Sequence, residues 1–365
     1  MERRESRELI YRSRKPDNLE GPPEIFDAET TPVEAFFVRN HFDVPRLEEA
    51  RWRLSVEGEV SVAREYDFGG LERFSRRQVR ATIECAGNSR TTLGEKASGV
   101  PWEAGAIGTA DWEGVPLRDV LEEAGPGEEV VEVVFIGADR GVVETNDGAR
   151  LQMPYARSLP LDKAMSAEVL IATHMNGEPL TEDHGYPARL VVPGWYGMAS
   201  VKWLTQIRCV TRQFDGYFQT EDYATWIPEK DLVVRRPLGP IAIKSHIGSP
   251  LDGQSLEAGD SVTIRGFAWG GADIAAVEIS TDGGRTYEAA EVETTQHPFA
   301  WRAWQYEWTV PDEPGERLLC SRARSSDGEV QPERHDWRRG AYAVNAIRPV
   351  QVKVIQSGGG RGAST

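Results

Sequence analysis

The chain has 365 residues, which is enough for about two domains that each bury a core. Hydrophobic residues make up 39% and charged residues 27%, an ordinary globular composition that excludes intrinsic disorder. The formal net charge of −16 repels nucleic acids and anionic membranes, so neither is expected as a partner. A small anionic substrate would need a locally basic cleft.

The cysteines Cys85, Cys209 and Cys320 lie far apart and form no CxxC or CxxCH motif. A disulfide framework, a zinc site and a covalently attached haem are therefore not expected. No apolar stretch follows the charged residues 1–8, so the sequence predicts neither a secretory signal nor a transmembrane segment. We expect a cytoplasmic protein.

In the first part of the chain, residues 1–30 are polar and contain prolines, which predicts an extended N-terminal arm. From 31 to 232, short apolar runs alternate with glycine-rich turns and a few helical stretches, which predicts an α+β domain. The segment 117–124, ended by a Gly-Pro pair, is predicted as a helix. Residues 130–137 have the pattern of a buried strand. Residues 229–240 are predicted to form a linker.

Residues 233–356 are predicted to form a second, all-β domain. The segments 261–269 and 274–280 alternate apolar and polar residues, and a hairpin turn is predicted at 281–284. Regular short strands of this kind indicate an antiparallel sandwich of the immunoglobulin-like type. Residues 357–365 are predicted to be a flexible tail.

Cys85 is the first candidate functional residue. A β-branched run leads to it, and small residues follow it, which predicts a strand that delivers a thiol into a turn. A thiolate is a soft metal ligand and a nucleophile, and a cation such as Arg90 nearby lowers the pKa of a thiol. A lone cysteine, taken by itself, is more often a small buried core residue.

Further polar residues interrupt apolar surroundings in the segments 36–42, 184–204 and 216–223. An arginine or histidine between aromatics is often a satisfied structural residue when taken alone. Together, however, these segments offer many donors and a phenol, and glycine-rich turns add backbone N–H groups that bind phosphate. The set suits a large polyanionic cofactor.

The order of several motifs resembles the sulfite oxidase family of molybdenum-cofactor enzymes. The motifs in the first half are Val38-Arg-Asn-His41, Cys85-Ala-Gly-Asn88, His184-Gly-Tyr-Pro-Ala-Arg189 and Ser200-Val-Lys-Trp203. Those in the second half are 264–269, 280–284, 300–305 and 328–332, which resemble the family's dimerisation domain. The resemblance implies an α+β molybdopterin-binding domain of sulfite oxidase type, followed by an all-β immunoglobulin-like sandwich.

By this resemblance, Cys85 supplies the protein thiolate to molybdenum, whose other sulfur ligands come from the pterin. The cofactor is then the molybdenum cofactor (molybdenum-molybdopterin), without haem. The remaining residues implied to hold the pterin and its phosphate are Phe37, Val38, Arg39, Asn40, His41, Asp139, His184, Arg189, Ser200, Val201 and Lys202.

The resemblance also implies a substrate pocket. Its anion-binding residues would be Arg39, Arg90 and Arg348, and guanidinium groups bind oxyanions through paired hydrogen bonds. Trp102 would be the pocket tryptophan, and Tyr223 the tyrosine beside the metal. Because Arg348 belongs to the second domain, that domain is expected to complete the pocket. Otherwise, Arg348 caps a surface strand and Tyr223 is a half-buried aromatic.

Two features depart from the animal enzymes of the family. Ser89 stands where those enzymes have an arginine, which reduces the attraction for anions. The loop 140–151 is a few residues longer, which affects the expected pterin contacts near Asp139.

The activity implied is oxidation of sulfite to sulfate by oxygen-atom transfer, in a homodimer formed through the second domain. The electrons would pass to an external acceptor: dioxygen, a quinone or a separate cytochrome. A reductase with the same cofactor, acting on nitrate or on an S- or N-oxide, is an alternative. A non-catalytic immunoglobulin-type binding protein is another.

Overall fold

The computed structural model describes residues 8–145, 148–230 and 232–356, so the predicted tail lies outside the described residues. The chain divides into two compact units. The first runs to Ile241 and includes Asp336–Val344, and the second comprises Ala242–His335 and the residues from Asn345 onward. The boundary predicted at 232/233 therefore lies several residues before the division at Ile241.

The first unit is built mainly from strands. These are β1 (Ile10–Ser13), β2 (Asn18–Glu20), β3 (Leu54–Gly58), β4 (Arg64–Tyr66), β5 (Arg77–Glu84), β6 (Ile107–Pro116), β7 (Glu132–Glu144), β8 (Arg150–Pro160), β9 (Leu170–Met175), β10 (Glu178–Pro179), β11 (Arg189–Val191), β12 (Leu204–Val210), β13 (Ala224–Glu229) and β14 (Leu232–Pro237). One sheet has the order β10-β9-β6-β5, with β11 also pairing with β9, and a second has the order β4-β3-β12-β7-β8. The pairs β1-β2 and β13-β14 form separate ribbons.

Helical segments are short. The α-helices are α1 (Phe68–Leu71), α2 (Leu117–Ala124) and α3 (Leu161–Ala164). The 3-10 turns are Pro23–Asp27, Val33–Ala35, Glu49–Arg51, Arg90–Lys96, Glu182–His184, Gly197–Ala199 and Trp337–Arg339, and a π-helical turn covers Phe218–Asp222. In the described residues, none of the helices has the length and apolar content needed to cross a membrane.

The predicted helix is confirmed as α2. Its buried side chains, Leu117, Val120, Leu121 and Ala124, recur at the helical period and form one apolar face. The helix ends at Gly125, whose φ of 70° is left-handed and whose N–H donates to the Leu121 carbonyl at 2.9 Å.

Two segments differ from the sequence predictions. Residues 232–237 were predicted as linker but form β14, because they pair along their whole length with β13. The described part of the N-terminal arm is more closely packed than expected: Ile25 and Phe26 are buried in it, and β1 pairs with β2.

The second unit is a sandwich of two mainly antiparallel sheets, in which β16 pairs with β23 in parallel. Its strands are β15 (Lys244–Ser249), β16 (Ser255–Glu257), β17 (Ser261–Trp269), β18 (Ile274–Ser280), β19 (Glu288–Ala289), β20 (Glu291–Val292), β21 (Arg302–Thr309), β22 (Gly315–Ser325) and β23 (Val350–Ile355). One sheet has the order β15-β17-β21-β20 and the other β16-β23-β22-β18-β19. Strands β17 and β18 have the predicted bounds, and β18 pairs with β19 across the predicted hairpin.

The core of the second unit is apolar and rich in tryptophan. Ile264 from one sheet and Val352 from the other are fully buried, and Trp304 and Trp308 belong to the same cluster. The alternation of buried and exposed residues along β23 reflects the pleat, which sends successive side chains to opposite faces. The predicted α+β first part and all-β second part are thus confirmed.

Candidate functional site

A cavity lies within the first unit. Its walls are formed by Phe36, Phe37, Arg39, His41, Ile83, Cys85, Ala86, Asp139, Tyr155, Asp183, His184, Arg189, Gly197, Met198, Ser200, Lys202, Trp203 and Tyr223. The cavity therefore brings together side chains from distant parts of the sequence.

Cys85 reaches the cavity from the end of β5, as predicted. Strand pairing stops at Glu84, and the Cys85 N–H still donates to the Ala106 carbonyl at 2.9 Å. The Asn88 side chain holds the following turn, since its amide donates to Glu84 Oε1 at 2.9 Å and its oxygen accepts from the Ala106 N–H at 3.1 Å. The thiol is thus fixed by a hydrogen-bonded turn.

Burial raises the pKa of the Cys85 thiol, and the nearby cations Arg39 and Arg90 only partly offset this effect. The cationic influence predicted from the sequence is present, but desolvation outweighs it. A metal that binds the thiolate would therefore displace a proton.

Arg90 lies behind the turn rather than on the cavity wall. Its guanidinium donates to the carbonyls of Ala341 at 3.0 Å and Val100 at 2.8 Å, and it stands 5.0 Å from the centre of the Tyr342 ring. A side chain at Gly87 would collide with this guanidinium. Arg90 thus supports the cysteine turn.

The segment that carries Arg39 is irregular. Val38 forms an isolated bridge to Leu19, with N–H···O distances of 2.8 and 2.9 Å. From this support, Arg39 donates to the Tyr223 hydroxyl at 3.4 Å and also to the carbonyl of Asn40. One N–H edge of the guanidinium is thereby directed at the phenol oxygen.

His41 and Tyr223 form a hydrogen-bonded pair on the cavity wall, which Cys85 also lines. His41 Nε2 lies 2.6 Å from the Tyr223 hydroxyl. The imidazole also stacks on Tyr155, with ring centres 4.4 Å apart. Burial, with the nearby cations Arg39 and Lys202, lowers the pKa of His41 well below its ordinary range, so the ring is neutral.

A second group of polar side chains lines another part of the cavity. Lys202 Nζ donates to Asn40 Oδ1 and to the Asp183 carbonyl. Arg189 donates to the carbonyls of His184 at 3.0 Å and Ser200 at 3.1 Å. Burial lowers the pKa of Arg189 to about 9 and, aided by Arg189, also lowers that of Lys202. Of the carboxylates in the described ranges, none forms a hydrogen bond with either cation, and backbone carbonyls and the Asn40 side chain hold them in place.

Asp139 provides the clearest sign that the cavity binds a polar molecule. Its Oδ1 is buried and has no hydrogen-bond partner, and burial raises the pKa of the carboxyl group. An unpartnered buried acceptor is costly unless a bound group satisfies it. Among the described residues, no cluster of three or more His, Cys, Asp or Glu forms a metal site.

The structure gathers most of the predicted site residues on the cavity walls: Phe37, Arg39, His41, Cys85, Asp139, His184, Arg189, Ser200, Lys202 and Tyr223. The wall set does not include Val38, Asn40, Arg90, Trp102 or Val201. Trp102 is fully buried and its Nε1 has no hydrogen-bond partner. Arg348 belongs to the second unit, where burial of His246 and then the charge of Arg348 lower the pKa of that histidine. Their functional roles stay predictions.

Sequence reasoning missed several wall residues. Tyr155 lies on β8, where it has the appearance of an ordinary strand aromatic, yet it donates to the Met198 carbonyl at 2.8 Å and packs under His41. Asp183 and Met198 lie within or beside segments noted for their polar residues. Their position within or next to these segments was a weak sequence signal, whereas the sequence around Tyr155 gave no signal.

Two family models match the chain. The oxidoreductase molybdopterin binding domain matches residues 41–218, and the Mo-co oxidoreductase dimerisation domain matches residues 236–354. The two matches follow one another, as the two structural units do.

Similar proteins span nearly the whole chain. Mitochondrial sulfite oxidase from Rattus norvegicus is 37% identical over 95% of this chain, which spans 66% of that relative. Sulfite oxidase from Gallus gallus is also 37% identical, over 89% of this chain and 73% of the relative. The crystal structure of the sulfane dehydrogenase SoxCD from Paracoccus pantotrophus has a TM-score of 0.80 and 28% identity, covering 94% of this chain and 88% of that chain.

Proposed function

Since the chain belongs to the sulfite oxidase family of molybdenum-cofactor oxidoreductases, we propose that it oxidises sulfite to sulfate. In this reaction sulfite and water yield sulfate, two protons and two electrons, and the electrons pass to an external acceptor. The molybdenum cofactor supplies the two-electron redox chemistry when bound.

One observation carries the proposal: a thiol, a guanidinium and a phenol share one cavity wall. Cys85, Arg39 and Tyr223 all line the cavity, and the Arg39 guanidinium lies 3.4 Å from the Tyr223 hydroxyl. A guanidinium binds an oxyanion through parallel hydrogen bonds, and its charge counters the net charge of −16 on the protein. The wall thus combines a soft metal ligand with an anion site.

Tyr223 supports the binding of an oxyanion by donating a hydrogen bond. Burial raises the pKa of this phenol, and Arg39 only partly offsets the effect, so the hydroxyl keeps its proton at neutral pH. The hydroxyl is placed by His41 on one side and Arg39 on the other. Arg39 binds the anion and Tyr223 orients one of its oxygens.

The other polar side chains of the cavity would hold the cofactor. Lys202 and Arg189 offer positive charge for its phosphate, and the unpartnered Asp139 oxygen offers an acceptor for pterin N–H groups. Cys85 would supply the thiolate. The donor set therefore suits the molybdenum cofactor at both its metal and its phosphate ends.

The test is steady-state turnover of sulfite with ferricyanide, on protein whose molybdenum content has been measured. Turnover that scales with molybdenum content supports the proposal. Activity with nitrate and a reduced viologen, without sulfite turnover, would assign a reductase instead. Protein that takes up no molybdenum in a cofactor-competent host would favour a non-catalytic binding protein.

Oxidation of sulfane sulfur is a second candidate. It is favoured by the structural similarity to the sulfane dehydrogenase over 94% of this chain. Thiosulfate, assayed beside sulfite with the same acceptor, distinguishes the two substrates. A clear preference for thiosulfate would replace the sulfite assignment.

We also propose that the protein works as a cytoplasmic homodimer formed through the second unit. The match of residues 236–354 to a dimerisation domain supports the dimer. Sedimentation analysis at micromolar concentration tests it, and a single monomeric species would contradict it.

A further inference from the structure

Arg157 is a buried cation that the reaction described above does not use. It lies on β8 and is 1% exposed. Its Nη2 donates to the Leu238 carbonyl at 2.9 Å, and its Nη1 donates to the Phe218 carbonyl. Its Nε is buried without a hydrogen-bond partner, and it forms no ion pair with a carboxylate in the part of the chain that the structure describes. A buried arginine bound only to carbonyls is uncommon and requires a reason.

The two carbonyls bracket Tyr223. Phe218 opens the π-helical turn Phe218–Asp222 that leads directly to Tyr223, and Leu238 follows the ribbon of β13 and β14. The Leu238 N–H also donates to the Tyr223 carbonyl at 2.9 Å. The Arg157 guanidinium thus ties together the entry and exit of the segment that carries the phenol. The Arg157 Cζ atom lies 5.9 Å from the centre of the Tyr223 ring.

The strand that carries Arg157 also supports His41. Tyr155, two residues earlier, points to the same side of β8 and stacks on the His41 ring at 4.4 Å. Strand β8 therefore supports both partners of the 2.6 Å bond between His41 and Tyr223. Tyr155 packs under the imidazole, while Arg157 restrains the backbone of the phenol.

We propose that Arg157 is a positioning residue that fixes the Tyr223 hydroxyl against His41 and Arg39. The consequence for turnover rests on the proposed function, whereas the positioning itself does not. The planar guanidinium fork is suited to this task because it reaches two carbonyls at a fixed separation. A lysine keeps the charge but reaches both carbonyls poorly.

The experiment compares Arg157→Met and Arg157→Lys with a control, Arg208→Met, all loaded with molybdenum. Arg208 lies on β12 of the same sheet and forms a surface salt bridge with Glu57. Its replacement therefore removes an arginine from the sheet without removing buried hydrogen bonds to carbonyls. We expect kcat for sulfite to fall about 10²-fold in Arg157→Met, less in Arg157→Lys, and little in the control. The KM should change less than kcat.

Combination with Tyr223→Phe separates positioning from general destabilisation. If Arg157 acts through the Tyr223 hydroxyl, Arg157→Met costs little further activity once that hydroxyl has been removed. An equal fold-loss in both backgrounds would overturn the proposal.

A readout independent of turnover is the ¹⁹F spectrum of protein labelled with 3-fluorotyrosine. Tyr223→Phe assigns the Tyr223 resonance among the 10 tyrosines. Both Arg157 variants should shift or broaden this resonance, and Arg208→Met should leave it unchanged. If Arg157→Met does not fold, the spectrum of Arg157→Lys is used in its place. A Tyr223 resonance that is the same as in the wild type would contradict the proposal. Absence of sulfite turnover in the wild type would refute the proposed function, while the spectrum would still test the role of Arg157.

Discussion

The imidazole of His41 and the phenol of Tyr223 are joined by a 2.6 Å hydrogen bond across 182 positions of sequence. Burial lowers the pKa of His41 and raises that of Tyr223, so both side chains are neutral. Arg39 donates to the Tyr223 oxygen, whose second lone pair can accept from the N–H at His41 Nε2, so that the phenol proton is available to an oxyanion. Two neutral groups and one cation thus meet beside Cys85.

Removing the Tyr223 hydroxyl should slow the reaction without emptying the site. We expect Tyr223→Phe to lower kcat for sulfite about 10²-fold, because an oriented donor to the reacting oxyanion is lost. Molybdenum content should stay at the wild-type level. Tyr66→Phe is the matched control, since it removes a hydroxyl that is bonded to Glu123 at 3.2 Å outside the cavity wall. Wild-type kcat in Tyr223→Phe would refute the role.

Replacing the Cys85 thiol should nearly abolish activity, because it removes the proposed metal ligand. We expect Cys85→Ser to lower turnover more than 10²-fold, since loss of a metal ligand exceeds the about 10–100-fold effect typical of outer partners. Cys209→Ser alters a buried thiol on β12 and should retain turnover per folded protein. Steady-state assays with metal analysis compare the two. Full turnover in Cys85→Ser would exclude a ligand role.

The sequence predicted what depends on local pattern. The period of apolar residues in α2 and their alternation in β17 and β18 fix which face each element buries, so these bounds were predicted closely. The turn at Cys85 was also predictable, because a strand runs directly into small residues. The order of the motifs led to the prediction of most of the polar residues that line the cavity.

Residues whose role depends on tertiary contacts were not predictable. Nothing local marks Tyr155 or Arg157, because their partners His41, Phe218 and Leu238 come from elsewhere in the chain. Strand β14 was missed for a similar reason. Residues 229–240 were predicted as linker, whereas Arg235 pairs with Glu221 of the π-helical turn and Arg236 with Glu229 of β13.

The charge of Lys202 should govern how well the cofactor is retained. We expect Lys202→Met to lower molybdenum content about tenfold or more, because a hydrogen bond to a charged group contributes about 1.5–3 kcal/mol. Lys163→Met is the control, as it removes a lysine paired with Glu168 outside the cavity wall. Metal analysis after identical purification compares them. Equal molybdenum content in both variants would show that Lys202 does not hold the cofactor.

Acid should destabilise the cofactor-free protein partly through His184. Burial, together with Lys202 and Arg189, lowers the pKa of His184 to about 3. The folded state therefore keeps the ring neutral while the unfolded chain takes up a proton below pH about 6.5, so stability falls as the pH drops through this range. Lowering the pH from 8 to 5 should reduce the free energy of unfolding by about 2 kcal/mol through this one group. The loss amounts to about 1.4 kcal/mol per pH unit and accumulates only below pH about 6.5. His184→Gln lacks the titration, so the difference in unfolding free energy between wild type and variant should change by that amount in urea titrations at the two pH values. Parallel pH dependence in the two proteins would show that His184 titrates normally in the folded state.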